Sequence, residues 1–365
     1  MKIGILTFHC AHNYGAVLQA YSLQEYLKSL GHEVYLIDYR PNYIIKTRDY
    51  LRFSPKLLIT KDYKSFPNIF VGGIKLAKKR NRRWKGFHDF ITKELNLYKP
   101  ESNFKGEGFD LCIVGSDQIW NKTLTGGKFE PLYFGKDFVC PVVSYAASTI
   151  TKGLSSQDRV ELKELLSNLT AISVRENNLR TQLQNFYNQK IDIVVDPTLL
   201  VDESIFTRFS SKMYDSISRP YLLVYTIKEF NPLYEKAREL AAKENLRVIE
   251  ISSTFNLKRY SQKLYDVSVE EFIALFKNAK FILTNSFHGT AFSLILRKDF
   301  YSVRQNIPQD ERIENVLTQL NLSNRFLSPD QIHDIPPIDY SDFDKHLSKF
   351  RNHSREYLLN TISKL

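Results

Sequence analysis

The chain has 365 residues, of which 43% are apolar and 25% charged, and its formal net charge is +11. This composition is typical of a globular protein and excludes a disordered or low-complexity class, while the length suits two domains better than one. No apolar run approaches the ~18 residues that cross a bilayer, and three irregularly spaced cysteines argue against a disulfide framework.

The first half of the chain alternates short apolar runs with helical patterns. Residues 2–8, a helical pattern at 15–30 and residues 33–39 predict a β-α-β unit with parallel strands. The turn after the first strand lacks the G-x-G-x-x-G pattern, which disfavours a nicotinamide cofactor. Further strands are predicted at residues 110–115, 142–146, 171–174 and 191–195, and a further helix at 155–168.

An insertion at about residues 46–105 carries the whole net charge. It holds sixteen Lys and Arg against five Asp and Glu, whereas the rest of the chain has 35 of each sign. Its most basic stretch, residues 75–85, suits an anionic lipid surface or a diphosphate-linked substrate, or is a solvated basic helix. Nucleic acid is not expected, because no recognisable binding module accompanies the charge. A core-facing stripe at helical spacing is predicted from Trp84, Phe87, Phe90, Ile91 and Leu95.

The second half repeats the alternation, with a predicted boundary near residue 203, because Pro197 interrupts the preceding pattern. Strands are predicted at residues 221–227, 247–252 and 280–283, and helices at 232–244 and 269–277. The tail, 340–365, is expected to be helical and to pack back across the domains. The predicted fold is therefore α/β, with domains at 1–202 and 203–335, a tail at 336–365, and ligands in a cleft beyond the carboxyl ends of the strands.

The strongest candidate for chemistry is the turn after residues 280–283. Ser286-Phe287-His288-Gly289-Thr290 lies where a strand changes into a helix. The first N–H groups of a helix lack internal partners and lie at the positive end of the dipole, so this turn suits an anionic ligand. Ser286 and Thr290 add hydroxyls, and Gly289 lets a ligand approach the backbone. The alternative is a helix cap whose histidine serves only packing.

Polar side chains also follow two other predicted strands. Ser116, Asp117 and Gln118 present a hydroxyl, a carboxylate and an amide together after residues 110–115. Asp117 suits a general base or a hydrogen-bond acceptor for a sugar, or it simply caps the next turn. Ser144 belongs to a run of small residues at another strand end, which leaves room for a ligand.

Two arginines are candidates for anion binding. Arg175 ends the strand at 171–174 and offers a planar fork of donors that matches phosphate or carboxylate. The alternative is a surface pair with the adjacent Glu176, which contributes little energy. Arg312, placed before a predicted helix, is a second possible arginine.

Six short motifs follow one another in order along the chain. They are residues 12–19 (HNYGAVLQ), 114–120 (VGSDQIW), 144–148 (SYAAS), 173–176 (SVRE), 195–198 (VDPT) and 286–290 (SFHGT). Together they resemble the polysaccharide pyruvyl transferase family over residues 1 to about 325. The basic insertion and the tail lie outside the strongest similarity.

The resemblance implies a fold of two tandem Rossmann-like domains with a central cleft, similar to B-type glycosyltransferases. It also implies phosphoenolpyruvate as donor, a sugar hydroxyl pair as acceptor and a cyclic pyruvate ketal as product, in surface or exopolysaccharide biosynthesis. Ketal formation needs a proton at the methylene carbon, so His288 is expected to be that acid or a phosphate ligand, and Asp117 the base. The expected donor-binding residues are Arg175, Asn13, Gly15, Ser286, Gly289, Thr290 and Arg312. The expected acceptor-binding residues are Ser116, Gln118 and Ser144.

Alternatives to this function remain open at the level of sequence. A B-type glycosyltransferase with a nucleotide-sugar donor would use the His288 turn for a diphosphate. A non-enzymatic basic scaffold would recruit a lipid-linked glycan. The acceptor is either linked to polyprenyl diphosphate at the inner membrane face, nucleotide-activated, or a free oligosaccharide. We expect a cytoplasmic protein, at most peripheral to that membrane, with residues 3–8 as a buried strand rather than a signal peptide.

Metal ions and organic cofactors are not expected. His9 and His12 flank Cys10, which leaves a metal or thiolate interpretation open, but a cysteine at a strand end is far more often structural.

Overall fold

The computed structural model of the chain describes residues 1–49, 66–150, 153–209, 211, 214, 217–252 and 263–365. Residues 50–65 of the predicted basic insertion lie outside the described residues. The described strands are β1 (Lys2–Leu6), β2 (Glu33–Ile37), β3 (Leu97–Tyr98), β4 (Leu111–Val114), β5 (Val142–Ser144), β6 (Ile172–Val174), β7 (Ile191–Ile193), β8 (Tyr221–Thr226), β9 (Arg247–Ser252), β10 (Lys263–Leu264), β11 (Phe281–Thr284), β12 (Phe300–Val303) and β13 (Phe326–Leu327).

The helices lie between these strands, as the alternating pattern predicts. They are α1 (Tyr14–Ser29), α2 (Asn42–Asp49), α3 (Phe66–Glu94), α4 (Ser156–Leu166), α5 (Asn177–Gln184), α6 (Pro197–Leu200), α7 (Ser204–Thr207), α8 (Asn231–Lys243), α9 (Val269–Asn278), α10 (Phe287–Ile295), α11 (Asp310–Gln319) and α12 (Tyr340–Ile362). Every predicted strand is present, although several end one or two residues earlier than predicted.

The strands form two parallel sheets. In the first half the order is β3-β2-β1-β4-β5, and bridges from Val143 to Ala171 and from Ala147 to Val174 continue it to the β6-β7 pair. In the second half the order is β10-β9-β8-β11-β12-β13. The prediction of two parallel α/β layer systems is confirmed. The boundary near residue 203 stays a prediction, with β1–β7 before it and β8–β13 after it.

An apolar core continues from the first half into the second. The ring of Tyr14, at the start of α1, stacks on Phe272 of α9 with the ring centroids 4.3 Å apart. The Tyr14 hydroxyl donates a hydrogen bond to the carbonyl oxygen of Val267 at 2.8 Å. Because both rings are fully buried, this contact fixes the carboxyl edge of one sheet relative to the other.

The basic helix α3 contacts the second half of the chain. Arg82 pairs with Asp266 at 3.1 Å and with Glu271, and the buried Arg83 donates from Nη1 to the Ser252 carbonyl at 3.2 Å. The interpretation of residues 75–85 as a solvated basic helix is therefore wrong for Arg83, which is buried, whereas Arg82 is exposed and also paired with two carboxylates. Arg82 complements the acidic side chains around the first turn of α9.

The apolar stripe predicted on the same helix is confirmed. Phe87, Phe90, Ile91 and Leu95 are buried, while Trp84 is half-buried and stacks on the ring of His88. The stripe therefore attaches the insertion to the core, as its spacing predicts.

The C-terminal helix α12 packs against the first half of the chain. Its Tyr357 hydroxyl donates to the Ser144 carbonyl at 2.8 Å, and its Ser354 hydroxyl accepts the backbone N–H of Val195 at 2.9 Å. Within the described ranges, no helix is both long enough and apolar enough to cross a membrane.

Candidate active site

A cavity of about 310 Å³ lies where the carboxyl ends of strands from both halves face each other. This volume is at the lower end of the roughly 300–1,000 Å³ range for small-molecule sites. Half of the predicted site residues line it, from both sides of the predicted boundary. They are Asn13, Asp117, Gln118, Ser286, His288 and Arg312.

The turn that carries His288 has the predicted geometry. Strand β11 ends at Thr284, and Ser286 is the N-cap of α10, with its hydroxyl accepting the Gly289 N–H at 3.4 Å. His288 therefore lies in the first turn of a helix whose N-terminus faces the cavity.

Gly289 and Thr290, both predicted to contact the donor, have roles within the fold. A Cβ at Gly289 would lie 2.1 Å from Thr284 Oγ1, so the glycine is needed for packing against β11. The Thr290 hydroxyl donates to the Ser286 carbonyl at 3.1 Å and lies 2.7 Å from Ser302 Oγ. Because Thr290 is fully buried, its hydroxyl serves the fold.

His288 sits between the two halves. A Cβ on Gly15 would lie only 2.0 Å from His288 Nδ1, so the missing side chain at position 15 makes room for the imidazole. His288 Nε2 lies 3.8 Å from Asp196 Oδ2 and has no hydrogen-bond partner among the described residues. Burial lowers the pKa of His288 below its ordinary value, and the carboxylates of Asp196 and Asp117 oppose that shift. In the protein alone the imidazole is therefore neutral near neutral pH.

Arg175 is occupied by protein partners. Its Nε donates to Glu176 at 2.9 Å, its Nη1 to Asp196 at 2.7 Å and its Nη2 to the Ser148 hydroxyl at 3.0 Å. The pair with Glu176 exists as the alternative expected, but it is buried rather than on the surface. Arg175 does not itself line the cavity; its guanidinium carbon lies 4.2 Å from the ring centroid of Phe287, which does. Its role is to hold two carboxylates in place.

Asp196 belongs to the motif at residues 195–198, but the sequence patterns gave it no role, and it lies buried behind the cavity beside His288. One carboxylate oxygen accepts the N–H and the hydroxyl of Thr198, at 3.0 and 2.7 Å, and thereby caps α6. The other oxygen accepts from Ser116 at 3.2 Å and from Arg175. Burial alone would raise the pKa of Asp196, but His288 and Arg175 hold it below its ordinary value. Its position directly after a strand was the available signal, since Val195 ends a predicted strand.

Arg312 is the arginine that lines the cavity. It lies in the first turn of α11, rather than before the helix as predicted. Its Nε has no hydrogen-bond partner among the described residues, although the side chain is buried. Burial, reinforced by the nearby Arg175 cation, lowers the pKa of Arg312 to about 10, so it remains charged at neutral pH. A buried cation with an unused donor is suited to an anionic ligand.

Asp117 and its neighbours divide between the cavity and the scaffold. One carboxylate oxygen of Asp117 accepts the backbone N–H of Gln118 at 2.8 Å. This is the kind of contact expected if Asp117 caps the following turn, and it uses one of the two carboxylate oxygens. Gln118 lines the cavity beside it. Ser116 and Ser144, predicted to bind the acceptor, are fully buried. Ser144 exchanges two hydrogen bonds with the backbone of Ser173, each 3.0 Å long, which joins β5 to β6.

The turn after β1 contributes Asn13 to the site. Its side-chain oxygen caps α1 by accepting the Ala16 N–H at 3.2 Å, and the residue lines the cavity.

A larger groove of about 510 Å³ lies at the opposite, amino ends of β6 and β7, where Asp192 pairs with Lys190. The convergent polar residues favour the smaller cavity as the site. In the part of the chain that the structure describes, no group of three or more His, Cys, Asp or Glu could hold a metal ion.

Solved structures resemble the fold at low sequence identity. The UDP-GlcNAc 2-epimerase from Methanocaldococcus jannaschii is 15% identical, with 100% of both chains covered and a TM-score of 0.48. Arabidopsis thaliana UGT89C1, complexed with UDP-L-rhamnose, is 11% identical, with 100% of this chain and 98% of that chain covered and a TM-score of 0.51. The second likeness confirms the predicted two tandem Rossmann-like domains, similar to B-type glycosyltransferases.

Sequence comparison identifies the family. No curated protein is similar enough in sequence to match. The family model described as "Polysaccharide pyruvyl transferase" matches residues 13–306, and it spans the first turn, the Arg175 network and the His288 turn. The chain therefore belongs to the polysaccharide pyruvyl transferase family.

Proposed function

We propose that the protein transfers the pyruvyl group of phosphoenolpyruvate onto two hydroxyls of a saccharide, forming a cyclic ketal during surface or exopolysaccharide biosynthesis. One observation carries this proposal: a single cavity holds a buried arginine with an unused donor, an unpaired imidazole nitrogen and a carboxylate. These groups are Arg312, His288 and Asp117. They match an anionic donor, a proton for its methylene carbon and a base for the attacking hydroxyl.

Donor binding falls to Arg312 and the N-terminus of α10. The arginine fork binds a phosphate or carboxylate oxygen pair, and the helix dipole favours the same charge. Arg175 contributes indirectly, because its N–H groups hold the carboxylates of Glu176 and Asp196 in place. Both arginines were expected to bind the donor, and we assign direct donor binding to Arg312 alone.

Proton delivery falls to His288. The negative charge of the donor would raise the lowered pKa of the imidazole, and Asp196, 3.8 Å from Nε2, would stabilise the imidazolium. Transfer of that proton turns the methylene into a methyl group and makes the central carbon electrophilic. One sugar hydroxyl then attacks the central carbon and gives its proton to Asp117. The bond to phosphate breaks, and phosphate leaves with the proton from Asp117. The second hydroxyl closes the ring and gives its proton back to His288. A placed general acid contributes about 10²- to 10⁴-fold.

Membrane contact, as part of this proposal, rests on fewer cations than the sequence offered. Arg82 and Arg83 are engaged within the protein, whereas Lys78 and Lys79 are exposed. Co-sedimentation with anionic liposomes that survives neutralisation of both lysines would count against a lipid-bound acceptor.

The test measures phosphate release from phosphoenolpyruvate with a panel of saccharide acceptors. We expect His288→Ala to lower turnover by about 10²-fold or more, while the exposed His333→Ala, the matched control, keeps it. Thermal shift compares donors, since a ligand that binds the native state raises its stability. Stabilisation by nucleotide sugars but not by phosphoenolpyruvate would overturn the proposal in favour of a glycosyltransferase.

A further inference from the structure

The cavity has an apolar side that the chemistry above does not use. Besides the polar groups it is lined by Phe8, Tyr43, Ile44, Leu124 and Ile227. Leu124 is 43% exposed and Ile227 is 40% exposed, which places both at the rim. Single exposed apolar side chains are ordinary on protein surfaces, but two that line the same cavity mark a contact surface.

The two rim residues come from different halves of the chain. Leu124 follows β4 and Ile227 directly follows β8, so the rim is completed only when the two sheets face each other.

Tyr43 lines the cavity, and its hydroxyl is engaged by other side chains. The hydroxyl donates to Glu130 Oε2 at 3.3 Å, and it also interacts with Tyr39. A Cβ at Gly126, whose φ is +79°, would lie 3.4 Å from Tyr43 Cδ1, so this loop packs closely against the ring. An aromatic ring held in this way suits the C–H face of a sugar, because both surfaces are apolar.

We propose that Tyr43, Leu124 and Ile227 form an acceptor subsite for a glycoside with an apolar aglycone. The reacting sugar lies between the Tyr43 ring and Asp117, and the aglycone covers the Leu124–Ile227 rim. This inference rests on the proposed function, and it replaces Ser116 and Ser144 as acceptor contacts. A free, fully polar oligosaccharide would leave both rim side chains exposed, whereas an apolar aglycone removes their surface from water.

The test compares methyl and octyl β-D-glycosides of glucose, galactose and N-acetylglucosamine, below micelle-forming concentrations. Calorimetry on the protein without donor gives the dissociation constants. We expect at least one octyl glycoside to bind about tenfold more tightly than its methyl partner, equal to about 1.4 kcal/mol. The Leu124→Ser/Ile227→Ser variant should bring the ratio near one, while Leu359→Ser, a 46% exposed leucine on α12, should retain it.

Tyr43 separates stacking from hydrogen bonding. Tyr43→Phe keeps the ring and should retain affinity for the glycosides, whereas Tyr43→Ala should weaken both the methyl and the octyl compounds. An octyl-to-methyl ratio near one in the wild-type protein, or no binding by any octyl glycoside, overturns the inference. Phosphate release with methyl glycosides would then leave the proposed function standing. Tighter binding of an octyl glycoside without phosphate release from phosphoenolpyruvate would support the acceptor subsite and overturn the proposed function.

Discussion

Gly15→Ala places a methyl group where the His288 ring lies. The built Cβ is 2.0 Å from Nδ1, 2.1 Å from Cγ and 2.5 Å from Cε1, whereas ordinary van der Waals contact begins at 3.4 Å. The ring must therefore retreat by roughly 1.4 Å, which is enough to disturb proton transfer, because a ~1 Å misplacement can cost about 10²-fold in rate. We expect turnover to fall by about that factor.

The effect on stability should be much smaller than the effect on rate. Gly15 lies in the first turn of α1 and has no positive φ, so alanine adopts its backbone without strain. Alanine is up to about 1 kcal/mol better than glycine in a helix, and overpacking costs about 1–3 kcal/mol. A net loss on this scale leaves most domains folded, since their stability is about 5–15 kcal/mol.

The assay is phosphate release from phosphoenolpyruvate, with urea unfolding of the same samples. Gly153→Ala is the matched control, because a Cβ there would have no atom of the described residues within 4 Å. In a His288→Ala background no ring remains to clash, so adding Gly15→Ala should leave the rate unchanged and raise stability by up to about 1 kcal/mol. Wild-type turnover in Gly15→Ala, or additive effects in the double variant, would refute the reasoning.

Three further outcomes follow from the contacts. Arg312→Met should weaken phosphoenolpyruvate binding by about 10- to 100-fold in calorimetry, since a hydrogen bond to a charged group is worth about 1.5–3 kcal/mol. Arg82→Ala should lower the free energy of unfolding in urea by only about 0.2–1 kcal/mol, because the side chain is 43% exposed. A double-mutant cycle of Arg82 with Glu271 should show a coupling energy between the two side chains. Burial lowers the pKa of His288, so as pH falls the imidazole is protonated in the unfolded chain before it is protonated in the folded protein. The free energy of unfolding should therefore decrease below about pH 6.5, by at most about 1.4 kcal/mol per pH unit. His288→Asn should reduce this dependence.

Each of these outcomes has a clear contradiction. Wild-type donor affinity in Arg312→Met would remove that arginine from the donor site. Strictly additive losses for positions 82 and 271 would mean that their pair contributes nothing. An unchanged pH dependence in His288→Asn would show that another group titrates in that window.

The architecture could be predicted from sequence because it is encoded locally. The alternation of apolar runs with helical spacing predicted the strands. The rule that ligands bind at the carboxyl ends of parallel strands predicted Asn13, Asp117 and His288 as site residues. The strand ends were less accurate: the first was predicted at 2–8 but ends at Leu6. The residues just beyond Leu6 are also buried and continue the apolar pattern, but they lie outside the strand pairing of β1. Periodicity alone therefore could not locate the end of the strand.

The partners of each charged residue could not be predicted, because they depend on long-range contacts. Arg175 is held by Asp196, which follows it by 21 residues and caps another helix. Arg82 of the insertion reaches Glu271 in the second half. No local pattern distinguishes such an arginine from Arg312, whose Nε has no hydrogen-bond partner among the described residues.

The charges around His288 explain why proton delivery depends on the donor. Coulombic interactions link His288 and Arg312 to the same surrounding groups. The carboxylates are Asp117, Glu176 and Asp196, and the guanidinium groups are Arg175 and Arg312. With a neutral imidazole this cluster has one excess negative charge, so a phosphorylated acid would bind against repulsion unless a proton entered with it. His288 is the group placed to take that proton, because its imidazole is neutral before the donor binds and Asp196, 3.8 Å from Nε2, would stabilise the imidazolium. On the proposed function, the imidazolium is therefore formed when phosphoenolpyruvate binds, and the acid is present only when there is a methylene carbon to protonate.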